Sequence, residues 1–225
     1  EDEHIKELYN RGIENSITSL KIISGDEARE LEPELSGEIT SALKVDNSGI
    51  VCPYSLTIAA MGNAMDNGAE LKTEFEVQEI EKNKDGFIIK SKNAQIAARY
   101  IVNCAGAYSD KVASLIGDNS FEIIKRAGEY MLFDKNEGTK VSRTIFQTPS
   151  KEGKGVLVTP TTHGNMLIGP SATVVASAKN LQTTPEGLEK ISRLALKSAP
   201  NLNFRAVITS FTGIRASEKH GDFII

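Results

Sequence analysis

Ile101-Val102-Asn103-Cys104-Ala105-Gly106-Ala107-Tyr108-Ser109 decides how the rest of the chain is read. With Arg99 and Tyr100 before it, the run predicts a buried strand over 99–103. The strand ends in small residues and gives way to a helix over 109–116, stopped by Gly117. Small residues at the carboxyl end of a strand let a ligand approach the backbone, and the free N–H groups of a following helix suit an anion. The same residues serve equally well as a plain strand–turn–helix in which Gly106 relieves a packing conflict. The chain holds no GxGxxG and no GxxxxGKS/T, so this turn alone does not define a nucleotide-binding unit.

Working outward, residues 4–16 carry Ile5, Leu8, Tyr9 and Ile13 at helical spacing. Residues 20–23 and 39–45 read as strands, and between them Ser24 and Glu27 are placed as the capping box of a helix that ends at Pro33. Pro53 opens a long helix whose buried side is predicted to hold Leu56, Ile58, Ala59, Met61, Ala64 and Met65, closed by Asn67-Gly68. Residues 70–73, 76–81 and 86–91 alternate apolar with polar, with Asn83-Lys84-Asp85-Gly86 as the hairpin turn and 95–97 as an edge. Downstream, strands are predicted over 122–134, 142–147, 155–160, 165–169 and 206–214, and one helix over 185–198 between Thr184 and Pro200. Helices cluster in the first half and antiparallel strands in the second, a fold class of α/β to α+β.

The 225 residues are 40% hydrophobic and 25% charged, the balance of a soluble globular protein rather than a disordered or disulfide-dense one. Twenty-six Lys and Arg against 30 Asp and Glu give a net charge of -4 with no basic block, which argues against nucleic acid as a partner. No apolar run approaches the roughly 18 residues of a transmembrane segment. Cys52 and Cys104 read as two buried thiols in a reducing, cytoplasmic setting. His4, His163 and His220 have no metal-site spacing, so no metal is expected. Residue 1 is Glu, and the chain stops in Asp222-Phe223-Ile224-Ile225, the apolar start of a strand, so an internal piece of a longer polypeptide is expected.

Three further places could carry chemistry. Gly213-Ile214-Arg215-Ala216 puts an Arg at the end of an apolar strand, where its guanidinium could clamp a carboxylate or phosphate with two hydrogen bonds, or simply sit in a surface ion pair. Arg126-Ala127-Gly128-Glu129-Tyr130 flanks a strand glycine with polar side chains, which marks either a close approach or a bend. The hairpin from Val156 to Gly169 turns at His163-Gly164-Asn165, where His163 is solvated rather than catalytic.

Taken in order, Leu31-Glu32-Pro33, Gly49-Ile50-Val51-Cys52-Pro53, Val102 to Ser109, Arg126 to Tyr130, the Val158-to-Gly169 hairpin and Phe211-Thr212-Gly213-Ile214-Arg215 form a series. It resembles the FAD-dependent oxidoreductases of the D-amino-acid oxidase type, and within them the glycerol-3-phosphate dehydrogenase and L-2-hydroxyglutarate oxidase group. The resemblance runs from about residue 24 to the last residue. The family's strand-GxGxxG-helix unit and its closing Gly-rich segment are absent, and Cys52 stands where the family often has Asp.

That resemblance implies part of an FAD-binding domain intermingled with an antiparallel-sheet substrate domain. Residues 1–50 would open the substrate domain, 51–118 would form a partial FAD domain, and 119–225 would complete the substrate domain, with 216–225 returning to the FAD domain. Val77, on the strand laid beside the adenine, would contact FAD through its backbone, and Ala105, Gly106 and Ala107 would face its ADP part. Arg215 would sit near the flavin and the acidic group of a small anionic substrate, with Tyr130 and Arg126 lining the substrate side. The reaction would move a hydride from a CH–OH carbon to flavin, and no residue is assigned as the base. An amine-oxidising flavoenzyme and a non-catalytic binding module stay open as alternatives. The 225 residues alone are expected to be inactive, to hold FAD weakly or not at all, and to be open to self-association.

Overall fold

A computed structural model describes residues 2–148, 155–219, 221 and 224. In chain order the first elements are α1 (Asp2–Glu14), β1 (Leu20–Ser24), α2 (Gly25–Leu31), β2 (Ser41–Val45), α3 (Pro53–Asp66), β3 (Glu79–Lys82), β4 (Phe87–Lys90), β5 (Gln95–Ala98) and α4 (Ser109–Ser114). Then come β6 (Ile123–Phe133), β7 (Ile145–Phe146), β8 (Leu157–Pro160), β9 (Met166–Gly169), β10 (Thr173–Val174), α5 (Pro185–Ser198) and β11 (Val207–Glu218). The chain divides into two units: Glu1–Pro53 with Ala127–Thr173 and Leu181–Gly213, and Tyr54–Arg126 with Val174–Asn180 and Ile214–Ile225.

In the first unit, local signals start the elements. The Ser24 side chain accepts from the Glu27 N–H while the Glu27 carboxylate accepts from the Ser24 N–H, the capping box expected for α2. That backbone bond, with Lys21 nearby, holds the exposed Glu27 carboxyl below its ordinary pKa. β1 and β2 pair antiparallel from Leu20↔Val45 to Ser24↔Ser41. The main sheet runs β10-β6-β9-β8-β7, with β11 also paired to β6. Its core consists of Phe133, Val141, Val156, Val158, Met166 and Ile168, with Ile191 and Ala195 of α5 and Ala199 and Leu202 beyond it. Each fully buried Phe, Ile, Met or Val here stabilises the fold by roughly 2 kcal/mol over exposure. Glu32 is buried as well, and its carboxylate accepts from the Ser142 N–H and from Arg143 at 3.1 Å, fastening the end of α2 to a segment far along the chain.

A methyl group on Gly138 would stand 1.8 Å from the Gly164 carbonyl oxygen, in the turn between β8 and β9. Backbone cannot swing aside as a surface side chain can. Gly138→Ala is therefore expected to destabilise the protein by about 2–3 kcal/mol, read from urea unfolding. An unchanged midpoint would mean the turn moves freely.

In the second unit, β3, β4 and β5 form an antiparallel sheet in registers Glu79↔Lys90 and Phe87↔Ala98. Lys90 pairs with Glu79 at 3.4 Å and also with Glu81. Gly86 closes the β3–β4 turn at φ +145°.

Several expectations need correction. Residues 99–103 lie in no strand, and Tyr100 and Val102 are each 85% exposed. A strand exists only through the ladder of a neighbour, and among the described residues none pairs there. Residues 70–73 are likewise unpaired, and Val77 precedes β3 rather than lying in it. α3 has no buried residue: Leu56, Ile58 and Met65 are at least half exposed, and only Met61 and Ala64 are half-buried. Periodicity states what a helix can bury, not what is there to bury it. Cys104 is exposed and Cys52 half-buried, so the two are not a pair of core thiols. β11 continues to Glu218, which makes Arg215 a strand-interior residue rather than a strand end. Most of the 222–225 stretch lies outside the described residues. No described helix is long and apolar enough to cross a membrane, and no described group of His, Cys, Asp or Glu could hold a metal ion.

Candidate functional site

The main sheet has two unlike faces. On β6, Ile123, Ala127, Glu129 and Phe133 are buried, and on β11 Thr212 is buried with its hydroxyl donating to the Gln182 carbonyl just before α5. Because side chains alternate, Gly128, Tyr130 and Leu132 take the other side of β6, and Phe211 and Gly213 the other side of β11, while Arg126 and Arg215 on the same two strands fall in the second unit. That second face is not sealed by α5.

On it the Tyr130 and Phe211 rings stack, with centroids 5.3 Å apart and planes at 14°. Gly169 makes room for the tyrosine, since a Cβ there would fall 2.8 Å from Tyr130 Cδ1. The close approach expected at Gly128 is real, since its Cβ would meet the Pro170 side chain at 2.9 Å. Gly213 has nothing within 4 Å of its Cβ position, so the strand beside Phe211 is open to a ligand.

Glu129 works beneath this face. Its Oε1 accepts from the Thr184 N–H and hydroxyl, and its Oε2 from the Ser171 hydroxyl at 2.8 Å. Ser171 in turn accepts from the Glu129 N–H at 3.0 Å. Thr184 is the N-cap of α5, so the carboxylate sits where the helix dipole favours negative charge. The strand beneath Tyr130 is thereby tied to both the β9–β10 connection and α5.

In the second unit, Ala105 and Ala107 are half-buried and Gly106 is exposed at φ +57°, with open space where a Cβ would stand. The turn is held by Asn103, whose side chain donates to the Ser109 carbonyl at 2.8 Å and accepts from the Ala105 N–H. It continues as a short 3-10 turn, Gly106–Tyr108, before α4. Val77 is half-buried, and its neighbour Gln78 donates to the Lys90 carbonyl. Arg126 and Arg215 are exposed. A pocket of about 330 Å³ lined by Ile80, Lys82, Phe87, Leu115 and Ile116 includes none of the residues singled out from the sequence.

Sequence reasoning quoted Glu129 and Phe211 within motifs but gave neither a role. The signal for each was register: Glu129 occupies a core position of a strand otherwise apolar there, and Phe211 shares a face with Gly213.

Helices and antiparallel sheets divided between two units agree with the fold of FAD-binding oxidoreductases. The family model described as FAD dependent oxidoreductase (DAO) matches residues 1–225, and the chain belongs to that family. It is 44% identical over 218 residues to a glycerol 3-phosphate dehydrogenase of Caloramator mitchellensis, covering 97% of this chain and 45% of that one. It is 30% identical to a glycerol 3-phosphate oxidase of Mycoplasma pneumoniae, covering 100% and 61%. Among solved structures it is similar to the dithionite-reduced L-alpha-glycerophosphate oxidase of M. pneumoniae with FAD bound, with TM-score 0.91 and 29% identity over 100% of this chain and 60% of that one. Likeness to a Bacillus cereus glycine oxidase, TM-score 0.84 at 22% identity over 98% and 58%, shows the shared fold. The chain spans about half the length of the curated relatives it matches.

FAD is the family's cofactor, and the residues present fit part of it. The open backbone at Gly106 accepts a close-lying group, as a cofactor's ADP portion requires.

Proposed function

We propose that this chain carries the substrate-recognising face and part of the FAD site of a dehydrogenase or oxidase acting on the CH–OH group of glycerol 3-phosphate or a small 2-hydroxy acid. The observation that carries this reading is the open face of the β6–β11 sheet in the first unit, where Tyr130 stacks on Phe211 beside a Gly213 that has nothing within 4 Å of its Cβ position. In this reading residues 1–50 and 119–215 act as the substrate domain, and 51–118 with 216–225 as part of the FAD domain.

Bound FAD supplies the hydride acceptor. Arg215 binds the substrate's phosphate or carboxylate through two parallel hydrogen bonds and, as a fixed positive charge, favours negative charge developing nearby. Arg126 adds a second cation, and Tyr130 walls the substrate in. Val77, through its backbone, and Ala105, Gly106 and Ala107 hold the adenosine and diphosphate side. A cytoplasmic location belongs to the same reading, supported by cysteines that form no disulfide.

The test is turnover by the FAD-loaded native protein of glycerol 3-phosphate, L-2-hydroxyglutarate and glycine. A hydroxyl substrate is expected to exceed glycine by roughly a hundredfold or more in kcat/KM. Preference for glycine or sarcosine would assign the amine-oxidising chemistry instead, and a native protein that never carries flavin would leave a binding module.

A further inference from the structure

The Tyr130 ring is confined on two sides: Phe211 covers one face, and Gly169 lies so close to one edge that a Cβ there would fall 2.8 Å from Cδ1. Below it, the bonds of Glu129 to Ser171 and Thr184 fix the strand from which it projects. Phe211 is the unusual member. It is 43% exposed and outside the core cluster, so burial gives little reason for an aromatic there. Among the described residues its ring stacks on that of Tyr130.

We infer that Phe211 is a positioning residue for substrate recognition: by stacking on Tyr130 it selects one rotamer of that ring and so fixes where the phenol hydroxyl meets the anionic substrate. A tyrosine on a strand has more than one staggered χ1 well open to it. The close approach of Gly169 limits one edge of the ring, and the stack sets its plane. Phe211 does its work through Tyr130 and touches no reacting atom. The inference rests on the proposed placement of Tyr130 at the substrate.

The experiment uses the FAD-loaded protein with Phe211→Leu, Phe211→Tyr, Tyr130→Phe and the Tyr130→Phe/Phe211→Leu double variant. Two quantities are read: KM and kcat for the substrate the enzyme turns over, and the Kd of a non-oxidisable anion from the change in flavin absorbance. The anion is inorganic phosphate for a phosphate-ester substrate and oxalate for a hydroxy acid. Phe211→Leu is expected to raise KM and the anion Kd about three- to tenfold, the range an aromatic pair is worth. kcat should stay within about twofold, and Phe211→Tyr, which keeps the stack, should restore both constants. In the Tyr130→Phe background the leucine should add almost nothing, because the hydroxyl it would misplace is gone.

Equal effects of Phe211→Leu in both backgrounds would overturn the inference, as would an unchanged KM and Kd alongside a raised KM in Tyr130→Phe. If Tyr130→Phe itself changes neither constant, the placement of Tyr130 at the substrate fails and the inference falls with it. A merely structural phenylalanine would lower Tm without any dependence on the Tyr130 hydroxyl.

Discussion

Arg215→Met is expected to lower kcat/KM of the FAD-loaded protein for the proposed hydroxyl substrate by roughly a hundredfold or more, about 3 kcal/mol of lost anion recognition. The guanidinium is exposed on a strand interior, so the residue itself has few contacts to lose and the fold should survive its removal. What is lost is a planar pair of donors matched to a carboxylate or phosphate edge. Lysine keeps the charge but not the fork, so Arg215→Lys should recover only part of the loss. Steady-state kinetics with added guanidinium ion checks the assignment: partial rescue of the methionine variant is expected, and a change below about threefold without guanidinium would remove Arg215 from the site.

Glu129→Ala should cost about 3–4 kcal/mol of stability, because it leaves Thr184 N–H, Thr184 Oγ1 and Ser171 Oγ facing a cavity without an acceptor. The carboxylate is 4% exposed, so water cannot simply replace it. Glu129→Gln retains one acceptor oxygen but brings an amide toward a Ser171 hydroxyl that already accepts from the Glu129 N–H, and should fall between the alanine variant and the native protein. Gly187→Ala reports on the same place from the helix side, since its methyl would stand 1.6 Å from Glu129 Oε2. Urea unfolding of the three variants is the measurement. A loss below about 1 kcal/mol in Glu129→Ala would mean that α5 is held by its apolar face alone.

What the sequence disclosed was what is local. Ser24 and Glu27, Thr184 before Pro185, and the His163-Gly164-Asn165 turn are signals read within a few residues, and each element they announce is present. The strand expected over 99–103 and the buried side of α3 depended on partners elsewhere, which the residues themselves do not specify. The candidate site divides in the same way. Arg126, Tyr130 and Arg215 were singled out because a strand glycine or a strand-borne cation draws notice. Glu129 looked like another polar residue until its neighbours on β6 proved to be buried. Phe211 became legible only through Tyr130, which lies far from it in sequence but 5.3 Å away in the fold.

The placing of α5 also bears on how the polypeptide is made. Phe133, Val158, Met166 and Ile168 form the apolar underside of the sheet, but the Ile191 and Ala195 that close it belong to a later helix. A ribosome therefore releases those strands with one greasy surface bare, and the Glu129 carboxylate without its Thr184 donors, until residues beyond 185 have emerged. During synthesis this is the interval in which a chaperone has most to shield and a neighbouring nascent chain most to stick to.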